Sequence, residues 1–197
     1  MLIVFVRYPA PGKAKTRLIP AVGPVAAADI QHRMSLCTLA VASEFGRDHK
    51  VDAEVRFTGG TAEQMVPLYG RDLRYRDQGE GDLGQRLKLA VADAFDAGAR
   101  TVVVIGTDCP KLSAGHLRDA HEALLDADVV LGPALDGGYY LIGLRQAHLQ
   151  LFDDIAWSTQ RVLQQTLDAT SRLGLSVQLL ETLADVDRPE DLQHLPE

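Results

Sequence analysis

From residue 2 to residue 6 the chain is apolar at every position, and residues 101–105 come close to repeating the pattern. A strand apolar on both faces has to be covered on both faces, the condition inside a parallel sheet flanked by helices. Further strand-like segments fall at residues 53–58, 73–76, 127–131, 139–144 and 176–180, separated by helical patterns. After Gly23-Pro24, Ile30, Met34, Cys37, Val41 and Phe45 recur at steps of three and four, one apolar stripe that Gly46-Arg47-Asp48 is expected to end. Leu83, Leu87, Val91 and Phe95 mark another helix. Leu117, Ala120 and Leu124 mark a third, with Ser113 as its cap, and residues 62–68 and 160–172 read as two more. The expectation is an α/β chain with one doubly wound, mostly parallel sheet, a single domain over residues 1–197.

Composition narrows the function. With 197 residues, 46% of them hydrophobic, the chain can build a sizeable core. A net charge of -7 argues against a general nucleic-acid binder, which carries a basic face. Two cysteines, Cys37 and Cys109, make neither a disulfide framework nor a zinc site, and the six histidines show no ligand spacing. Reduced thiols and a cytoplasmic setting are expected. The apolar opening is too short to span a membrane. No Gly-x-Ser-x-Gly elbow supports a hydrolase triad.

In doubly wound sheets ligands bind beyond the carboxyl ends of the strands, so the loops there carry the information. The first is Pro9-Ala10-Pro11-Gly12-Lys13-Ala14-Lys15-Thr16-Arg17-Leu18. Lys13, Lys15 and Arg17 gather three cations in an acidic protein, and Gly12 allows close backbone approach; together they suit phosphate. The Walker pattern does not fit, because Ala14 follows Gly12-Lys13, and a solvated basic loop is the plainer alternative. Asp108 directly follows residues 101–105 and is a candidate ligand for magnesium, or manganese, held with substrate phosphates; an Asx turn before Pro110 explains it equally. Asp136 precedes Gly137-Gly138, an ordinary tight turn or a carboxylate beside a close-approach backbone. Asp185 and Asp187 stand at alternate positions, pointing the same way if extended, and so could complete a metal site. Gly79 to Gly84, with Glu80, Asp82 and Arg86, forms a glycine-rich loop that can hold a nucleobase or cap a helix. Gly81, Asp82 and Gly84 are its candidate nucleotide contacts. Trp157-Ser158-Thr159 can line an acceptor pocket with Gly137 and Gly138, or serve as half-buried core and a helix cap.

The opening Phe5-Val6-Arg7-Tyr8-Pro9-Ala10-Pro11-Gly12-Lys13-Ala14-Lys15-Thr16-Arg17-Leu18, the segment Gly106-Thr107-Asp108-Cys109-Pro110 and the run from Gly132-Pro133-Ala134-Leu135-Asp136-Gly137-Gly138 to Leu144 resemble the motifs of a bacterial family, domain of unknown function 2064. That family is described as glycosyltransferase-like, or as a transferase associated with radical-SAM and selenium-related genes. The resemblance implies the glycosyltransferase-A, or nucleotide-diphospho-sugar transferase, fold. More distantly the layout is similar to phospholactate and molybdenum-cofactor guanylyltransferases. Their phosphate loop maps onto Lys13, Lys15 and Arg17, their metal aspartate onto Asp108, and their tail onto residues 185–192, with Arg188 in place of Thr. Where sugar transferases of this fold usually carry Asp-x-Asp, this chain has Gly106-Thr107-Asp108.

Three functions follow as expectations. The first is nucleotidyl transfer from a nucleoside triphosphate to a small phosphorylated or hydroxyl acceptor, with Lys13, Arg17 and Asp108 acting on the phosphates. The second is glycosyl transfer from a nucleotide-diphospho-sugar, with Asp136 as base. The third is a non-catalytic nucleotide-binding domain. The triple-basic loop ranks the triphosphate first.

Overall fold

In the computed structural model, which describes residues 1–195, the first apolar run becomes the interior strand β1 (Leu2–Arg7). Leu2, Val4 and Val6 face one helical layer while Ile3 and Phe5 face the other, so both sides of the strand are dry. The order along the chain continues α1 (Ile19–His49), β2 (Ala53–Thr58), α2 (Ala62–Tyr69), β3 (Arg74–Asp77), α3 (Leu83–Asp96), β4 (Val102–Ile105), α4 (Ala114–Ala123), β5 (Val129–Pro133), β6 (Tyr139–Leu144), α5 (Val162–Arg172) and β7 (Val177–Leu179). The strands form one seven-stranded sheet in the order β3-β2-β1-β4-β6-β5-β7. The β1–β2, β1–β4, β2–β3 and β5–β7 ladders are parallel; β6 is antiparallel to both its neighbours. The expected α/β, mostly parallel, doubly wound fold is therefore what forms.

One core packs α1, α2 and α4 on the first face, through Leu39, Phe45, Met65 and Leu117. The other packs α3, α5 and the short turn Leu149–Phe152 on the second, through Leu87, Val91, Phe152 and Ala169. The helix α1 departs from the expectation in two ways. Its buried face runs through Ala27, Gln31, Met34, Thr38, Ala42 and Phe45, which leaves Cys37 exposed. Gly23, at φ 80° and ψ 164°, breaks the first turn away from the rest, in keeping with a helical pattern that starts after Gly23-Pro24. Gly46 does not end the helix. It continues to His49, and Lys50 in the left-handed region closes it with its N–H on Gly46 O.

Strand β5 begins two residues later than the apolar run implied, because Asp128 is used as a latch. Its carboxylate accepts from Ser176 N at 3.0 Å, Ser176 Oγ at 2.7 Å and Arg145 Nη2 at 2.6 Å. That ties the entry of β5 to the entry of β7 and the exit of β6. The Ser176 hydroxyl and amide, then the Arg145 hydrogen bond, pull the Asp128 carboxyl down to about 2. A depressed folded value contributes stability above the unfolded carboxyl value of about 4, and that contribution disappears as pH falls toward 2. Asp128→Asn is expected to cost about 1–2 kcal/mol at pH 7. Thermal midpoints should show the gap between the two proteins closing between pH 4 and 2; a gap independent of pH would refute the latch.

Candidate functional site

A cavity of about 610 Å³ opens where β1 and β4 end and the β5–β6 hairpin turns. This is the carboxyl edge at which ligands of doubly wound sheets bind.

The loop after β1 forms its basic side. Gly12 takes φ 78°, which a side chain resists, and Lys15 itself lies in the left-handed region at φ 46°, ψ 47°. Ala14 and Leu18 are fully buried and anchor the loop. Arg7 Nη1 donates to Lys13 O at 2.9 Å, bracing it from the end of the strand. Lys13, Lys15 and Arg17 all line the cavity, though in unequal states. Lys15 turns inward: its side chain is 3% exposed, and Nζ donates to Asp108 Oδ1 and to Val186 O, both at 2.7 Å. Arg17 donates to the carboxylate of Asp187 at the surface. Lys13 reaches the cavity from the exposed part of the loop.

The acidic side is assembled from three places. Asp108, 54% exposed, projects from the loop after β4. The tail is strapped to that loop, with Val186 N on Asp108 O at 2.9 Å. Val186 is fully buried, and its neighbours Asp185 and Asp187 both reach the cavity, as their alternate spacing implied. In the hairpin, Asp136 Oδ1 accepts from Gly138 N at 2.8 Å, which shapes the turn and leaves the other oxygen to the cavity. Burial, then the nearby Asp136, raises the Asp185 carboxyl above its ordinary value, with Asp191 and Asp108 adding to the rise. The Cys109 thiol is also pushed up, by burial and by the Asp108, Asp185 and Asp136 carboxylates, so it is a poor nucleophile at neutral pH.

Among the described residues no group of three or more His, Cys, Asp or Glu side chains is arranged to hold a metal ion. Asp108 and Asp185 are close enough to raise the latter's carboxyl, but Asp108 Oδ1 is taken by Lys15 and Asp187 by Arg17. Two carboxylates with open oxygens suit a divalent ion that arrives with phosphate ligands of its own.

Other candidates from the sequence hold the site from behind. Pro9, Ala10, Gly12, Gly81, Asp82, Gly84 and Gly137 do not line the cavity. Asp82 caps α3, accepting from Gln85 N at 2.9 Å. Gly84 makes room for Trp157, and Gly137 for the chain at Gln160. Trp157, Ser158, Thr159 and Gly138 do line the cavity.

Two residues were missed by motif reading. Gln31, buried on α1, donates to Thr107 Oγ1 at 3.1 Å and so steadies the loop that carries Asp108. Gln78, buried after β3, donates to Arg56 O at 3.0 Å and accepts from Arg86 Nη1 at 3.2 Å. The second bond turns Arg86 toward the cavity it lines. A polar residue on the dry face of an amphipathic helix was the available signal for Gln31.

The family described as an uncharacterized protein conserved in bacteria (DUF2064) matches residues 40–159. A provisionally assigned nucleotide-diphospho-sugar transferase from Desulfovibrio desulfuricans G20 is 35% identical, with 97% of this chain and 83% of that one covered, at a TM-score of 0.90. Two more distant structures share the fold. Rv0371c from Mycobacterium tuberculosis H37Rv, in complex with manganese, is 17% identical at a TM-score of 0.58, covering 98% of this chain and 97% of its own. CMP:2-keto-3-deoxy-manno-octonic acid synthetase complexed with CTP is 17% identical at a TM-score of 0.55, covering 98% of this chain and 95% of its own. No curated protein matches. No helix among the described residues is long and apolar enough to cross a membrane. The motifs, the fold and the match over residues 40–159 agree: the chain belongs to the DUF2064 family.

Proposed function

We propose that the chain is a nucleotide-using transferase of a single domain, and that it moves a nucleotidyl group from a nucleoside triphosphate to a small acceptor. The observation that carries this reading is one cavity in which the Lys13–Arg17 loop faces Asp108, Asp185 and Asp187. Lys13, with Lys15 and Arg17 once they exchange carboxylate for phosphate, neutralises the triphosphate. An acceptor oxygen attacks the α-phosphorus, a new P–O bond forms, the bond to the bridging oxygen breaks, and pyrophosphate leaves. An acceptor hydroxyl gives its proton to Asp136; a phosphate oxygen has none to give. Positioning and charge neutralisation supply most of the acceleration, with no covalent intermediate on the protein. Asp108 and Asp185, with Asp187 when freed from Arg17, would hold magnesium or manganese, which when bound supplies charge stabilisation at the phosphate oxygens.

Glycosyl transfer is the second reading, favoured by the likeness to the Desulfovibrio protein. There the same cations would stabilise a leaving nucleoside diphosphate and Asp136 would take the acceptor proton. Purified protein, magnesium or manganese, each triphosphate and an acceptor panel, assayed for pyrophosphate, decide between them. Pyrophosphate release that depends on acceptor supports the first reading; silence there with cleavage of a nucleotide sugar replaces it by the second. Nucleotide binding indifferent to metal, and unchanged in Asp108→Ala, would leave only a binding domain.

A further inference from the structure

The hairpin that carries Asp136 and the loop that carries Trp157 are built as one unit. Leu163 N donates to Gly137 O at 2.9 Å, and a Cβ on Gly137 would stand 2.3 Å from Gln160 O. Directly before Gln160 come Trp157, Ser158 and Thr159, all lining the cavity. The indole is seated closely: a Cβ on Gly84 would lie 2.4 Å from Trp157 Nε1. Phe152 stacks near it at a centroid distance of 6.5 Å, and Tyr139 meets it edge-on at 6.4 Å. The loop is closed by Thr159 Oγ1 on Ala156 O at 2.7 Å and Ala156 N on Gln165 Oε1 at 3.0 Å. Ser158 holds φ 63°, a conformation non-glycine residues rarely keep and one that clusters at ligand sites.

The wall so formed differs in charge from the rest of the cavity. The cavity's cations, Arg7, Lys13, Lys15, Arg17 and Arg86, come from the loop after β1, from β1's end and from α3. None of the described lining residues between Ala134 and Val162 is cationic. What this wall offers is two aromatic rings set edge to face, Trp157 and Tyr139, the Ser158 hydroxyl, and one carboxylate at Asp136. An anion finds no cation there and meets the Asp136 carboxylate. A neutral ring with hydroxyls on its edge gains on both counts, its C–H face on the indole and its hydroxyls on acceptors.

We infer that this wall is the acceptor subsite, and that it takes a polyhydroxylated ring, a sugar or cyclitol, laid against Trp157 with a hydroxyl turned to Asp136. The inference rests on the transferase reading for the word acceptor, while the ring-binding wall is testable apart from it. Trp157 is the chain's single tryptophan, so emission excited at the red edge, where the five tyrosines do not absorb, reports on this wall. Titrations with myo-inositol, methyl α-glucoside and methyl α-mannoside should give, for at least one, a saturable change in emission. Calorimetry should find that ligand bound about tenfold more weakly by Trp157→Leu and near the native affinity by Trp157→Phe, which keeps a flat ring. Nucleoside triphosphate affinity, measured in parallel, should be the same in all three proteins. A nucleoside that shifts the emission where the polyols do not would make the wall a base subsite and overturn the inference. So would a wall that answers to no polyol. In both cases the parallel triphosphate titration reports separately on the nucleotide reading.

Discussion

Asp108→Asn is expected to lower the transferase rate by about 10²–10³ and to lower stability as well. The rate loss follows from removing the carboxylate that stands at the end of β4 opposite the basic loop. The stability loss follows from Lys15. Its ammonium is 3% exposed and keeps acceptors at the new amide oxygen and Val186 O, but the opposing charge is gone, a loss of about 1–3 kcal/mol for a buried charged donor. The reciprocal change is not symmetrical. Lys15→Met leaves Asp108 more than half exposed, able to hydrate, so its folding cost should be smaller. Pyrophosphate release and chemical denaturation, run on both variants, separate the two effects. Equal losses of stability, or a rate within threefold of the native protein for Asp108→Asn, would sink this account.

The largest stability effect is expected away from the site. Arg56 on β2 is 2% exposed, yet carries a full charge under α3. Nε donates to Glu54 Oε1 at 2.5 Å and Nη2 to Asp93 Oδ2 at 2.8 Å, with Arg76 reaching Asp93 from outside at 3.3 Å. Arg56→Ala removes the partner of Glu54, which is 7% exposed and cannot hydrate in place. The cost is expected at about 3–5 kcal/mol, a large share of the roughly 5–15 kcal/mol a domain has. Replacing Arg56 and Glu54 together with leucine should recover most of it, because dry surfaces then meet and no charge is stranded. Urea unfolding of the single and double variants gives the coupling directly. Additive losses would mean that the pair does not act as a unit.

How far these features were legible beforehand follows their range along the chain. Residues 2–6 announced a doubly covered strand because a run this short, apolar throughout and rich in Ile and Val, suits a strand better than a buried helix. The Asp185–Asp187 alternation was readable because extended backbone alone makes the two share a face. Asp136-Gly137-Gly138 showed a turn, but not that β6 inserts between β4 and β5, which depends on pairings formed across the sheet. The end of α1 was misjudged at Gly46, since glycine's local preference lost to packing against the strand that follows. Lys15 read as a phosphate ligand like its neighbours, and nothing local indicates that its ammonium turns toward Asp108, 93 positions away. Gln31 stood out as polar three positions before Met34, but its partner Thr107, 76 positions away, had no local signal.

The pairing of the basic loop with the acidic tips bears on what the cavity will accept. At the two ion pairs, Lys15–Asp108 and Arg17–Asp187, a visitor that captures one charge leaves its partner behind. A lone phosphate that takes Lys15 abandons Asp108, and a lone cation that takes Asp187 abandons Arg17. Only a visitor that is itself salt-like, anion and cation together, exchanges both partners at once and leaves neither stranded. At these two positions the cavity is expected to favour an anion and a cation arriving together over either one alone.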